Sequence, residues 1–186
     1  MIFKHFNLAV NAALLIWALT LGFTIWAGWL DWRTRKIPNW LTVSAFTMGL
    51  GVHFILGGWR GALSSVEGAG LALLVLLPLV LARGLGAGDW KLMGAVGALL
   101  GPWGLLAFLF VSALVTGVMA AATVIWTRRV MVTLKNMAIL VQGFFVFGLR
   151  GHPQMTLDNP GLLKLPFGVA AALTAVICFV ISRWVR

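Results

Sequence analysis

Phe6 to Leu30 contains no charged side chain, and neither does Ile37 to Trp59. Runs of this kind fit a bilayer, whose hydrocarbon layer of roughly 30 Å takes about 20 residues of helix. A third run, Leu63 to Ala82, carries a single acid, Glu67, near its start. Leu92 to Thr127 is too long for one crossing, and Gly101-Pro102-Trp103-Gly104 interrupts it with residues that break helices. The last run, Leu165 to Ser182, is closed by Arg183 and Arg186. The pattern predicts an all-α integral membrane protein of six transmembrane helices, at about 8–30, 38–58, 63–82, 89–101, 103–127 and 165–182, forming one polytopic domain over 1–186. A secretory signal is the weaker reading of the first run, whose apolar stretch is much longer than a signal's.

Composition agrees, since 61% of the residues are hydrophobic and only 10% charged, against about 25% charged in soluble domains. That excludes a soluble enzyme. One cysteine, Cys178, excludes a disulfide framework and a four-cysteine zinc site. The net charge of +10 would suggest nucleic acid for a soluble chain, but here it orients the helices. Arg33, Arg35, Lys36, Arg83, Lys91, Arg128, Arg129, Lys135, Arg150 and Lys164 fall in one set of alternate loops, and only Lys4, Arg60, Arg183 and Arg186 in the other. The richer set belongs in the cytoplasm, which puts both termini outside it and makes 128–164 a cytoplasmic loop. The expected surroundings are therefore the lipid bilayer and not nucleic acid. Within that loop, Asn136 to Leu149 is apolar but too short to span, and reads as an interfacial or re-entrant element.

Asp31, Glu67, Asp89 and Asp158 are the complete set of 4 acids. Asp31 closes the first span and Asp89 opens the fourth, so the expected topology puts both at the cytoplasmic edge at one depth. An acid pair at membrane depth is costly and by default marks function. Asp89 follows Gly86-Ala87-Gly88, glycines that allow positive φ and close backbone approach. Asp31 is followed by Ile37-Pro38-Asn39, where Pro38 pre-sets the start of the next helix and Asn39 offers an amide. Gly94, Gly97 and Gly101 have the small-residue spacing that lets helices pack closely, here expected to bring the fourth span against the first.

Plainer roles stand beside these. Asp31 can pair with Arg33 or Arg35, and Asp89 can serve as an ordinary N-cap. Glu67 and His53 lie toward the outer ends of their spans, where interhelical packing accounts for them. His152 and Asp158 fit turn roles. The three histidines have no close acid or cysteine neighbours, so no metal site is expected.

The pairing of Asp31 and Ile37-Pro38-Asn39 with Gly86-Ala87-Gly88-Asp89-Trp90-Lys91-Leu92 resembles the type IV prepilin peptidases, membrane aspartyl proteases of the Gly-x-Gly-Asp class. Lys164-Leu165-Pro166-Phe167-Gly168 is similar to that family's Pro-Phe-Gly, and the likeness runs in outline over nearly the whole chain. The resemblance implies an aspartic endopeptidase of the bacterial inner membrane that needs no cofactor. It would remove the basic leader from prepilin or pseudopilin precursors at the cytoplasmic face, after a glycine in most substrates. It implies Asp31 and Asp89 as the catalytic pair, with Gly86, Gly88, Lys91, Pro38 and Asn39 supporting the approach of substrate. Larger members add a cytoplasmic region with zinc-binding cysteine pairs linked to N-methylation. These residues hold neither, so the likeness is to the short, peptidase-only form of tight-adherence (Flp) pili and speaks against methyltransferase activity.

Two carboxylates held close share a proton, so one can activate water as general base while the other polarises the scissile carbonyl. The helix dipole and nearby Lys91 favour Asp89 as the base at rest. A presenilin or signal-peptide-peptidase type of protease is the alternative enzyme. It is disfavoured by Leu30 before the first aspartate, where those families have Tyr, and by Pro166-Phe167-Gly168 in place of their Pro-Ala-Leu. A proton-coupled carrier or a pilus-assembly subunit is the alternative outside enzymes. A carrier should hold its acids near the midplane, not at the edge.

Overall fold

The computed structural model describes residues 2–82, 84–128, 130, 131, 133 and 167–184, with side chains from residue 12 onward. The expected interfacial element at 136–149, together with His152, Asp158 and Pro166, lies outside the described residues. Within them the chain is helical and has no strand: α1 (Ile2–Thr34), α2 (Asn39–Leu81), α3 (Ala87–Trp126) and α4 (Phe167–Trp184). All four are long and apolar enough to cross a membrane, α1 through its stretch Ala12–Thr34. The all-α membrane class is thus as expected, while the helices number four and not six.

The difference lies in α2 and α3, of 43 and 40 residues, each about twice the length that a crossing requires. Each is interrupted once: Gly58 has φ 57° and ψ −144°, and Gly101 has φ 68° and ψ 178°. These are left-handed conformations that glycine adopts without a Cβ clash. Around Gly58 the chain doubles back, so that a Cβ on Gly61 would run into the His53 carbonyl. The first half of α2 then runs alongside α3 in the same direction, with Asn39 at Lys91 and His53 at Leu99. The second half runs against it, with Ser65 at Ala98 and Leu73 at Gly94. Pro102, which lacks an N–H, follows the second interruption where the turn residues placed it.

Two packing surfaces differ from expectation. The glycines of α3 face α2, since a Cβ on Gly97 would strike the Gly68 carbonyl and one on Gly94 would stand 3.0 Å from Leu73 Cδ2. They do not bring α3 to α1. Instead α1 lies against α4, where a Cβ on Gly28 would stand 2.9 Å from the Gly168 carbonyl. Ala27, Leu41, Leu92, Met93, Val96, Phe108, Ala171 and Ala175 join all four helices in one buried cluster. Small residues at these crossings allow the backbones to approach, which is how helices associate where lipid and side chain are equally apolar. Trp26, Trp29, Trp32, Trp40, Trp59, Trp103, Trp126 and Trp184 are exposed. Most stand near helix ends or interruptions, as membrane-interface tryptophans do.

Candidate functional site

Helix α1 runs past Leu30 to Thr34, so Asp31 stands in its last turn and not beyond it. Thr34 Oγ1 donates back to the Leu30 carbonyl at 2.8 Å. The helix stops at Arg35, whose φ of 54° is left-handed and whose N–H closes on the Asp31 carbonyl at 2.9 Å, the single-bond form of a helix C-terminus. Pro38, at φ −72° and ψ 143°, then caps α2, with the extended backbone typical of an N-cap.

At the other acid the N-cap is Gly86, with φ −69° and ψ 144°. Asp89 therefore stands in the first turn, three residues inside, and is not the cap. Its carboxylate accepts a hydrogen bond from the Gly86 backbone, the reciprocal half of a capping box. Neither Gly86 nor Gly88 has positive φ. What their missing side chains supply is space: a Cβ on Gly86 would stand 3.0 Å from Asp89 Oδ2, and one on Gly88 would touch Ile37 Cβ at 3.4 Å. The Gly-x-Gly-Asp turn is thereby seated on Ile37-Pro38-Asn39. Lys91 Nζ donates to Asn39 Oδ1 at 3.0 Å across the same junction. Trp90 Nε1 donates to the Leu73 carbonyl at 2.9 Å, tying this first turn to the second half of α2.

Asp31 and Asp89 come within electrostatic reach of each other. Asp31 is 7% exposed, and Asp89 is half-buried. Arg33, one candidate for a plain ion pair, stacks over Trp29 at 5.2 Å from the ring centroid. Asp31 is bonded by a backbone group on α4: Gly168 N–H donates to Asp31 Oδ2 at 2.9 Å in a buried contact. Sequence reasoning placed Gly168 within a resembling motif but gave it no role. The signal was the glycine itself, because any Cβ there would stand 2.8 Å from Asp31 Cβ.

An apolar cleft of about 400 Å³ opens between α2 and α3, lined by Phe46, Ala69 and Leu73 together with Thr42, Asn39 of the Ile37-Pro38-Asn39 junction and Lys91 near the start of α3. His53 is a packing residue, bonded to the Leu99 carbonyl at 2.8 Å, and Glu67 is exposed. Among the described residues no three His, Cys, Asp or Glu side chains stand close enough to hold a metal ion. Two carboxylates within electrostatic reach of each other, one of them buried, can exchange a proton with water and with a bound carbonyl, which is the chemistry of acid–base hydrolysis.

The model of the type IV leader peptidase family matches residues 13–121, from α1 through most of α3 and across both aspartates. The comparisons with curated proteins and with solved structures gave no significant match. The chain belongs to the type IV leader peptidase family.

Proposed function

We propose that this leader peptidase is an aspartic endopeptidase that removes the N-terminal leader of type IV or Flp prepilin-like precursors at the cytoplasmic face of the bacterial inner membrane. The observation that carries this reading is that Asp31 on α1 and Asp89 on α3 lie within electrostatic reach of each other. Two carboxylates so placed cannot both ionise cheaply, and together they hold one proton. The ionised member takes a proton from water as its oxygen attacks the scissile carbonyl carbon. The protonated member gives its proton to the carbonyl oxygen. Collapse of the resulting diol breaks the C–N bond, and the leaving amine takes a proton back from the pair. Gly86 and Gly88 keep the Asp89 turn thin, while Lys91, Asn39 and Pro38 shape the edge that substrate passes. The cleft between α2 and α3 suits the apolar segment that follows a leader.

In this reading α2 and α3 each cross the bilayer twice, folding at Gly58 and Gly101, for six crossings with both termini outside the cytoplasm. The cationic residues around Asp31 then face the cytoplasm, in keeping with their orienting role.

Purified protein in nanodiscs, given a Flp-type prepilin, should release the leader, with the new N-terminus read by mass spectrometry. Cleavage at the end of the basic leader supports the reading. An uncut precursor, or cleavage inside the apolar segment as an intramembrane protease would make, refutes it.

A further inference from the structure

The proposed hydrolysis uses the two acids, yet a third element reaches the pair. Gly168 lies beyond the matched residues 13–121, and its N–H meets Asp31 Oδ2 at 2.9 Å across 137 positions of chain. The approach is closed to any other residue type: a Cβ at 168 would stand 2.8 Å from Asp31 Cβ and 3.2 Å from both Oδ2 and the Ala27 carbonyl. Asp89 is held in a parallel way by the Gly86 backbone. Each carboxylate thus has a main-chain donor from a glycine, and a main-chain donor cannot rotate away as a side chain can.

Among the described residues, the elements packed against Asp31 carry the following ionisable side chains. From α3 they are Asp89, within electrostatic reach, and Lys91, engaged with Asn39. On α1 itself Arg33 covers Trp29, and Arg35 follows at the helix stop. The first turns of α2 carry no ionisable side chain before His53, and α4 carries none before Cys178.

We propose that Gly168 is a positioning residue of the carboxylate pair: its amide commits Asp31 Oδ2 as an acceptor and leaves Oδ1 as the oxygen that exchanges a proton during hydrolysis. An N–H can only donate, so the bond is made at full strength to the ionised carboxylate and is weakened when Oδ2 takes a proton. The role in hydrolysis rests on the aspartic peptidase reading, whereas the hold on Asp31 does not. The helix stop at Thr34 and the start of α4 at Phe167 are accordingly parts of one device that aims a single carboxyl group.

The test removes the N–H without adding a Cβ. Glycolic acid in place of Gly168, introduced by nonsense suppression in cell-free translation into nanodiscs, turns the amide into an ester. Lactic acid in place of Ala175 is the control: it makes the same amide-to-ester change in α4 two turns beyond Gly168, away from Asp31. Two readouts apply: the pH profile of prepilin cleavage, and the pH dependence of Asp31 labelling by a hydrophobic carbodiimide, which reacts with protonated carboxyls.

The ester chain is expected to lose about tenfold in kcat at neutral pH, with KM within about twofold. The acid limb of its profile should move up by about one pH unit, as follows from losing a hydrogen bond to a charged group. Its Asp31 labelling should persist to correspondingly higher pH, and the Ala175 ester should leave both profiles in place. A Gly168 ester chain with wild-type profiles overturns the proposal, as does an equal displacement in the Ala175 ester. If the ester chain does not insert, Gly168→Ala, which keeps the amide but forces α1 and α4 apart, must shift labelling in the same direction, and an unshifted profile again overturns it. A wild-type protein that cuts no prepilin refutes the peptidase reading and the role in hydrolysis, while the labelling still decides whether Gly168 holds Asp31.

Discussion

Ser65→Ala should destabilise the protein far more than the loss of one hydroxyl suggests. Ser65 is fully buried, and its Oγ donates to the Ala98 carbonyl at 2.8 Å. That carbonyl is an orphan of the helix, because the residue four positions on is Pro102, which has no N–H to offer. His53 does the same for the next carbonyl, Leu99, at 2.8 Å. A carbonyl only accepts, so Nε2 carries the hydrogen. Interhelical hydrogen bonds in membranes are worth about 0.6 kcal/mol on average and about 1.7 kcal/mol at most, but an unpaired buried acceptor costs about 1–3 kcal/mol. Ser65→Ala falls at the overlap, about 1.5 kcal/mol, or roughly tenfold in the folding equilibrium. His53→Leu should cost a similar amount. The assay is SDS titration in mixed micelles, followed by tryptophan fluorescence. Cleavage by the variant should fall only as far as the folded fraction falls, because Ser65 holds the interruption of α3 and not the acids. A stability loss under about 0.3 kcal/mol would refute the reasoning, since the carbonyl would then have found another partner.

Three other outcomes are expected. Lys91→Met and Asn39→Ala each remove the bond between Nζ and Oδ1, which is exposed and worth under about 1 kcal/mol. Folding should change little while cleavage falls several-fold, and the double variant should be no worse than either single one; additive losses would show separate roles. The pH–rate profile in detergent should fall on both sides of a maximum, because hydrolysis needs one proton on the pair, and a rate unchanged from pH 4 to 9 would contradict a shared proton. On a Cys178→Ala background, Thr34→Cys and Arg60→Cys should label with a membrane-impermeant maleimide from opposite sides, since they flank the first half of α2, and labelling from one side would contradict six crossings.

The acids were readable because an apolar chain with 4 carboxylates leaves few candidates. The interruption at Gly101 followed from the proline beside it, whereas the positive φ expected of Gly86 and Gly88 is absent and the bare Gly88 instead makes room for Ile37. Helix partners were not readable. In a soluble helix an apolar stripe shows which face is inside, but a membrane helix is apolar on both its lipid and its protein faces. Gly94 and Gly97 therefore announced a close contact without saying that its partner was α2, and Gly28 did not reveal that α1 rests on α4. The hold of Gly168 on Asp31 was hidden for a second reason: its donor is a backbone N–H, which every residue but proline carries.

The most direct test of the account is co-expression with a Flp-type prepilin, scoring leader removal by gel shift for the wild type, Asp31→Asn and Asp89→Asn. Asparagine keeps the shape of each side chain and removes its acid. The account predicts complete processing by the wild type and none by either variant at normal protein levels in the membrane. Processing that survives in either variant would contradict the paired carboxylates as the site of hydrolysis.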